Sequence, residues 1–288
     1  MTLAEAIPLL LSLSIFLMVT TLGLKADLRD ATYLLRRPGL LLRSVLSMNV
    51  IMVVLAAAMV SLFDLSFATK VAIMVIAISP VPPMLPNKQV KSGGDGSYAV
   101  GLLVAQIVLA IVLIPLTIAL LARYFGLPLQ MPVARLLPIV LVSVIAPLLL
   151  GMVVHHLAPS FAARLVRPLS IAATVLLVVA ALPVLFKASG AIWHLVGHGG
   201  LAVLLAFALV GVAVGHMLGG PDPRDRTVLA LATSARHPGM ALTIASLNFP
   251  EHKLEVLAVI VCHLVISAIV AAYYNFSIRS GGKALSPT

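Results

Sequence analysis

Ser79-Pro-Val-Pro-Pro-Met-Leu-Pro-Asn-Lys88 and Ala232-Thr-Ser-Ala-Arg-His-Pro-Gly-Met240 each interrupt a long apolar run with proline, glycine and positive charge. The chain around them is 61% apolar and 10% charged, with a mean hydropathy of +1.16, which excludes a water-soluble domain. A transmembrane β-barrel would alternate apolar and polar residues over segments of about ten. Stretches such as Val104 to Leu121 are apolar at nearly every position, so the spans read as helices. A crossing helix needs about 20 residues, and the hydropathy breaks near Lys25, Asp64, Asp95, Gly126, Pro159, Gly190, Pro221 and Glu251 divide the chain into about nine. The expected spans are 7–24, 39–61, 68–88, 97–123, 132–157, 166–186, 199–218, 226–249 and 253–276.

The expected fold is therefore an all-α membrane protein, and its two interruptions carry the chemistry. A charge at the bilayer centre costs roughly 2.5–3.5 kcal/mol even on the lenient insertion scale, so Lys88, Arg236 and His237 need a reason to be there. Discontinuous helices with prolines and cations are where membrane carriers hold ligands. Pro80, Pro82, Pro83 and Pro86 break the third span, and Pro238 and Gly239 the eighth. Each break is in the penultimate helix of its half. That spacing points to inverted repeats, 1–124 lacking one helix and 132–278 complete, within a single transmembrane domain. Asn87 is a candidate to satisfy backbone freed by the prolines, or to touch a ligand.

Charge sets the expected orientation. Lys25, Arg29, Arg36 and Arg37 follow the first helix, Arg164 and Arg167 the fifth, Arg224 and Arg226 the seventh, and Arg279 and Lys283 the last. The alternate loops hold only Lys70, Arg123, Arg135, Lys187 and Lys253. The positive-inside rule then places the N-terminus outside and the C-terminus in the cytoplasm. The net charge of +10 is a topology signal, without the basic and aromatic stripe of a nucleic-acid binder. Loops this short fit a bacterial inner membrane. The single Cys262 offers no internal disulfide and reads as a packing residue. His155 and His156 read as interfacial, and His216 and His263 as packed helix residues. No His-Glu-x-x-His, Gly-x-Ser-x-Gly or membrane Asp pair supports an enzyme.

Three segments in order resemble the bile acid:sodium symporter superfamily. They are Gly23-Leu24-Lys25-Ala26-Asp27-Leu28 with Arg37-Pro38; Ser79-Pro80 through Pro86-Asn87 with Gly94-Asp95; and Arg236-His237-Pro238-Gly239-Met240-Ala241-Leu242. They look like the family's Gly-Leu-x-x-x-(Asp/Glu)-(Phe/Leu), its Cys-Pro-Gly-Gly-x-x-Ser-Asn crossover, and its Gln-Asn-x-Gly-Leu-Ala. The resemblance implies a panel domain and a core domain, two broken helices crossing near the midplane, and sodium-coupled uptake of an organic anion. The chain departs at the sodium sites. The family's glutamate falls at Ala232, its crossover serine and hydroxyls at Pro86, Ala99 and Leu103, and its second-helix glutamine at Met48, with Asn49 beside it as a stand-in. Of nine carboxylates only Asp95 and Glu255 come near a crossover or helix interior.

The expectation is thus a secondary transporter of a small organic anion, with no cofactor and no bound metal, in which fixed cations replace sodium at the crossover. Asn87, Lys88, Arg236, His237 and Asn49 would bind the anion, whose apolar part would lie against panel residues such as Leu13, Phe16 and Met48. An anion channel and a proton-coupled carrier using His237 are the competing readings. The orientation is checked by C-terminal reporters: a fluorescent protein active only in the cytoplasm should light up, and a periplasmic phosphatase at the same place should stay silent.

Overall fold

The prolines and glycines that interrupt the hydropathy are also where helices begin and end. The computed structural model describes residues 3–126, 129–196 and 199–284 of the 288. Eleven helices form it: α1 Leu3–Gly23, α2 Pro38–Leu62, α3 Phe67–Ile78, α4 Leu85–Lys91, α5 Gly96–Phe125, α6 133–157, α7 Pro159–Val196, α8 Gly200–Leu218, α9 Pro223–Ser234, α10 Pro238–Asn248 and α11 Lys253–Ala284. Among the described residues there is no strand. Six helices among the described residues are long and apolar enough to cross a membrane, so the chain is an integral membrane protein.

Helix α5 shows why lipid is the solvent. Ile107, Ala110, Ile114, Ile118 and Leu121 are buried, yet Val108, Val112, Leu116 and Leu120 on the opposite face are at least half exposed. A helix apolar all round whose outer face meets no protein is built for hydrocarbon.

Several boundaries differ from the expectation for identifiable reasons. The third span stops at Ile78 and resumes at Leu85, and the eighth stops at Ser234 and resumes at Pro238. Pro159 does not open a loop. It starts α7 one residue after α6 ends, because proline suits the first position of a helix, where no N–H is needed. Arg164 and Arg167 consequently sit on the first turns of α7 as exposed side chains instead of in a connection. The side chains of Arg135, Lys187, Arg279 and Lys283 lie outside those described.

Lipid gives helices no hydrophobic reason to associate, so close backbone approach does it instead. Helix α1 packs along α6 and α7. At its closest point a Cβ on Gly23 would stand 2.3 Å from the Leu148 carbonyl oxygen, and one on Gly151 would stand 2.3 Å from that of Thr20. Ser14 Oγ donates to the Ala173 carbonyl of α7 at 2.7 Å. A second group forms where α8 runs along α9 and α11. Here Gly211, Gly215 and Gly219, four apart on one face of α8 and the turn after it, abut Ser234, Ala230 and Arg226 of α9.

Gly215→Val should therefore separate α8 from α9 and destabilise the protein by about 1–3 kcal/mol or more. Gly39→Ala, with nothing within 4 Å of the new Cβ, should leave the melting temperature in detergent within about 1 °C of wild type.

Candidate functional site

Both breaks follow from missing donors. Helix α3 cannot continue past Ser79, because Pro80, Pro82 and Pro83 offer no N–H and clash with the preceding turn. Ser79 closes the helix by donating its N–H to Val75 and Ile76 and its hydroxyl to the Val75 carbonyl at 2.6 Å. In the second break Ala235 turns extended, and Pro238 opens α10. Helix α3 packs on α10 and α4 packs on α9, so the two interrupted pairs lie across one another. At the crossing the His237 N–H donates to the Pro80 carbonyl at 2.9 Å, joining break to break.

Arg236 is the centre of this arrangement. It is 2% exposed, and its Nη2 donates to the Met48 carbonyl at 2.9 Å while its Nη1 donates to the Ser79 carbonyl at 3.2 Å. Both acceptors are free for local reasons. Ser79 ends a helix, where the last carbonyls have no partner. Met48 lies in a wide turn of α2, Leu46–Ile51, in which the Met52 N–H bonds the Ser47 carbonyl and leaves that of Met48 without its usual donor. Beside it Ser47 Oγ and Thr233 Oγ1 share a 2.7 Å bond between α2 and α9, both fully buried.

His237 caps α10, its Nδ1 accepting the Met240 N–H at 3.2 Å. That bond places the ring proton on Nε2. Pro238 has no N–H, and the Ala241 N–H is taken by the His237 carbonyl. Among the described residues no acceptor takes the Gly239 N–H, and Gly239 is exposed, so one donor at the N-terminus of α10 remains available. Elsewhere at the break, Pro82, Pro83 and Pro86 are buried, Pro86 within the first turn of α4.

The remaining expected residues are dispersed. Asn87 is half-buried and accepts from Lys25 Nζ at 3.4 Å, and Lys88 is exposed midway along α4. Neither meets Arg236. Asn49 follows the Met48 carbonyl on α2, with a buried Oδ1 that no group satisfies. Of the three residues expected against the apolar part of a ligand, Met48 is fully buried in α2, while Leu13 is exposed and Phe16 half-buried on α1. An apolar cavity of about 240 Å³ between α2, α3, α5 and α10 is lined by Phe67, Met74, Ile118 and Phe125, with Lys70 in its wall, and reaches Ile78 beside the break. A larger one of about 490 Å³ at Asp27, Arg29 and His156 sits at the ends of α1 and α6, away from the crossing.

A family model for the Sodium Bile acid symporter family matches residues 12–192, well over half of the chain and inclusive of the first break. The chain belongs to this family. Its members are secondary transporters and not enzymes. No curated protein matches the sequence.

For a member of a family named for sodium, the oxygen inventory is unusual. Among the described residues no three of His, Cys, Asp and Glu converge on a point. Asp95 caps α5 through the Tyr98 N–H at 2.8 Å and pairs with Arg224 at 3.0 Å, while Glu255 pairs with His252 at 3.2 Å, so both expected interior carboxylates sit at helix ends. The buried carboxylate is instead Asp225, 7% exposed in the first turn of α9. At the crossing itself the carbonyls of Met48, Ser79 and Pro80 already hold protein donors. The residues present do not fit a sodium ion there.

Sequence reading missed Gln89, whose Nε2 ties α4 to the Val228 carbonyl of α9 at 2.8 Å, and the fully enclosed Gln106. An amide in a seven-residue helix flanked by lysines gave no signal. His216 is satisfied as expected, by the Tyr274 hydroxyl at 2.7 Å, and His263, 2% exposed, packs edge-on against Phe207 with ring centres 5.7 Å apart. His155 bonds the Leu24 carbonyl at 2.9 Å and approaches Asp27 at 3.5 Å, which fits an interfacial place.

Ser47→Ala and Thr233→Val should each lower stability by about 1 kcal/mol. The double variant should cost clearly less than the sum, a coupling that chemical denaturation of all four proteins would measure.

Proposed function

We propose that this chain is a secondary carrier of a small organic anion that works by alternating access. Seven unbroken helices and the two pairs α3–α4 and α9–α10 make nine crossings in this reading, with the N-terminus outside. The repeats are 1–124 and 132–278, so that α3–α4 and α9–α10 correspond. Helices α1, α6 and α7 form the panel and the others the core, a division supported by the close α1–α6 seam and the glycine face between α8 and α9. The panel rocks against the core around the crossing.

The single observation that carries the reading is the bond of His237 N–H to Pro80 O, which places two helix breaks and a buried guanidinium at one point. An anionic head fits the N-terminus of α10, where the exposed Gly239 N–H, the helix dipole and the positive charge of Arg236 act together. His237 lies directly beneath it. Lys25, Asn87 and Lys88 would form the mouth on the cytoplasmic side, attracting anions without binding them tightly. The apolar cavity beside Ile78 suits the non-polar part of such a molecule, with Lys70 at the end of the cavity away from the crossing.

A proton carrier at His237 is less well supported, since its Nδ1 already accepts the Met240 N–H and protonation there would break the cap of α10. A channel would need a continuous wet path.

A thermal-shift screen of carboxylates and sulfonates on the purified protein should find anions that raise the melting temperature, since ligands stabilise the state they bind. The hit should then accumulate against its gradient in proteoliposomes; large unitary currents in its place would establish a channel. In Gly239→Ala the new Cβ would stand 3.3 Å from the His237 ring and narrow the space in which a ligand meets the Gly239 N–H. The apparent affinity should fall about tenfold, as for one weakened charge-assisted hydrogen bond, while the protein still folds with a melting temperature within a few degrees of wild type.

A further inference from the structure

We infer that Arg236 is a tethered replacement for a coupling cation, so that this carrier runs without sodium. The inference deepens the carrier reading and rests on it.

The end of a half-helix in lipid is a cation site by construction. Its last carbonyls lack donors and carry about half a negative charge between them, and in carriers with broken helices such carbonyls coordinate the transported ion. Here the carbonyl that ends α3, Ser79, and the carbonyl released by the wide turn in α2, Met48, both point at one guanidinium, at 3.2 and 2.9 Å. Three elements, α2, α3 and the link from α9 to α10, are thereby held by one positive charge. That is the role a bound metal ion plays between backbone oxygens, carried out by a group that is never released.

Two further observations separate this role from direct ligand binding. Arg236 is 2% exposed, and its third nitrogen, Nε, is enclosed without a partner, so a solute has no open route to it. The donor that is open lies at Gly239. Nor does any described carboxylate pair with Arg236, so its charge is answered by carbonyl dipoles alone, the same chemistry that would receive a bare cation. Arginine suits the task because its guanidinium stays charged and presents its donors in a planar fork that can reach two carbonyls at once. Lysine, a point charge on a flexible stem, would reach both less well. The sequence around it agrees, since the crossing retains no acidic side chain with which to recruit sodium, while Ser47 and Thr233 satisfy one another.

The test is a melting experiment on the purified protein in detergent with sodium, potassium or choline chloride at matched ionic strength. The wild-type midpoint should agree among the three to within about 1 °C. Arg236→Gly, which removes the side chain and leaves the two carbonyls unanswered, should melt several degrees lower, and dilute guanidinium chloride should restore part of the loss where the same ionic strength of choline chloride does not. Arg236→Lys should fall between the two. A wild-type midpoint that rises with sodium and not with potassium or choline would overturn the inference, because it would reveal a sodium site. A folded Arg236→Gly protein indifferent to guanidinium would overturn it equally. The wild-type comparison stands even where the glycine variant fails to fold. None of these melts contains a transported anion, so they decide the cation question separately from the carrier reading, which fails only when no anion is taken up.

Discussion

A backbone carbonyl that loses its helical donor inside a bilayer has no water to turn to, and the centre of this protein is organised around that constraint. Breaking α3 releases carbonyls at Ser79 and Pro80, and the wide turn in α2 releases another at Met48. Each is answered by a donor from the second break: the guanidinium of Arg236 for two of them and the backbone N–H of His237 for the third. One dipeptide thus satisfies three free carbonyls of two elements, α2 and the broken α3. The prolines that create the problem and the arginine that solves it lie more than 150 residues apart, so neither segment is stable in lipid without the other.

The same constraint explains why the helices around the crossing come so close. In hydrocarbon, the attraction between helices is contact itself, and contact is greatest where side chains are smallest. Gly23 against Gly151 and the Gly211, Gly215, Gly219 face against α9 bring backbones to distances that a single methyl group would prevent. The second of these faces presses α9 into register with α2, which is what allows Thr233 to meet Ser47 and Arg236 to meet Met48. Packing by glycine and satisfaction of carbonyls are two halves of one construction.

A positive charge fixed at the crossing also changes what the protein must collect from its surroundings. A carrier that relies on a dissolved cation must bind and release it in each cycle, whereas a covalently attached guanidinium is always present. In the proposed carrier, the field that would draw an anion to the N-terminus of α10 belongs to the chain itself. Gly239, exposed between half-buried Pro238 and buried Met240, is the point at which that field can be reached.

Much of this was legible in the sequence, because hydropathy and proline act locally. The membrane as solvent, the approximate spans and both breaks follow from residues read in order: an apolar run must be a helix in lipid, and Pro80, Pro82, Pro83 or Pro238 must interrupt it. The positions of the cations were equally visible, but their roles were not. Lys88 and Arg236 look alike in the sequence, each a base beside a broken helix, yet one is exposed midway along α4 and the other enclosed between two carbonyls. Pro159 looked like a break and begins a helix, since the missing N–H matters only where an earlier carbonyl needs it. The wide turn at Met48 left no mark in composition. The sequence by itself determined where the backbone must be irregular and that charge stands there; only the tertiary structure decided which carbonyls that charge answers, because hydrogen bonds between elements far apart in the chain depend on how helices cross, and no local pattern encodes a crossing.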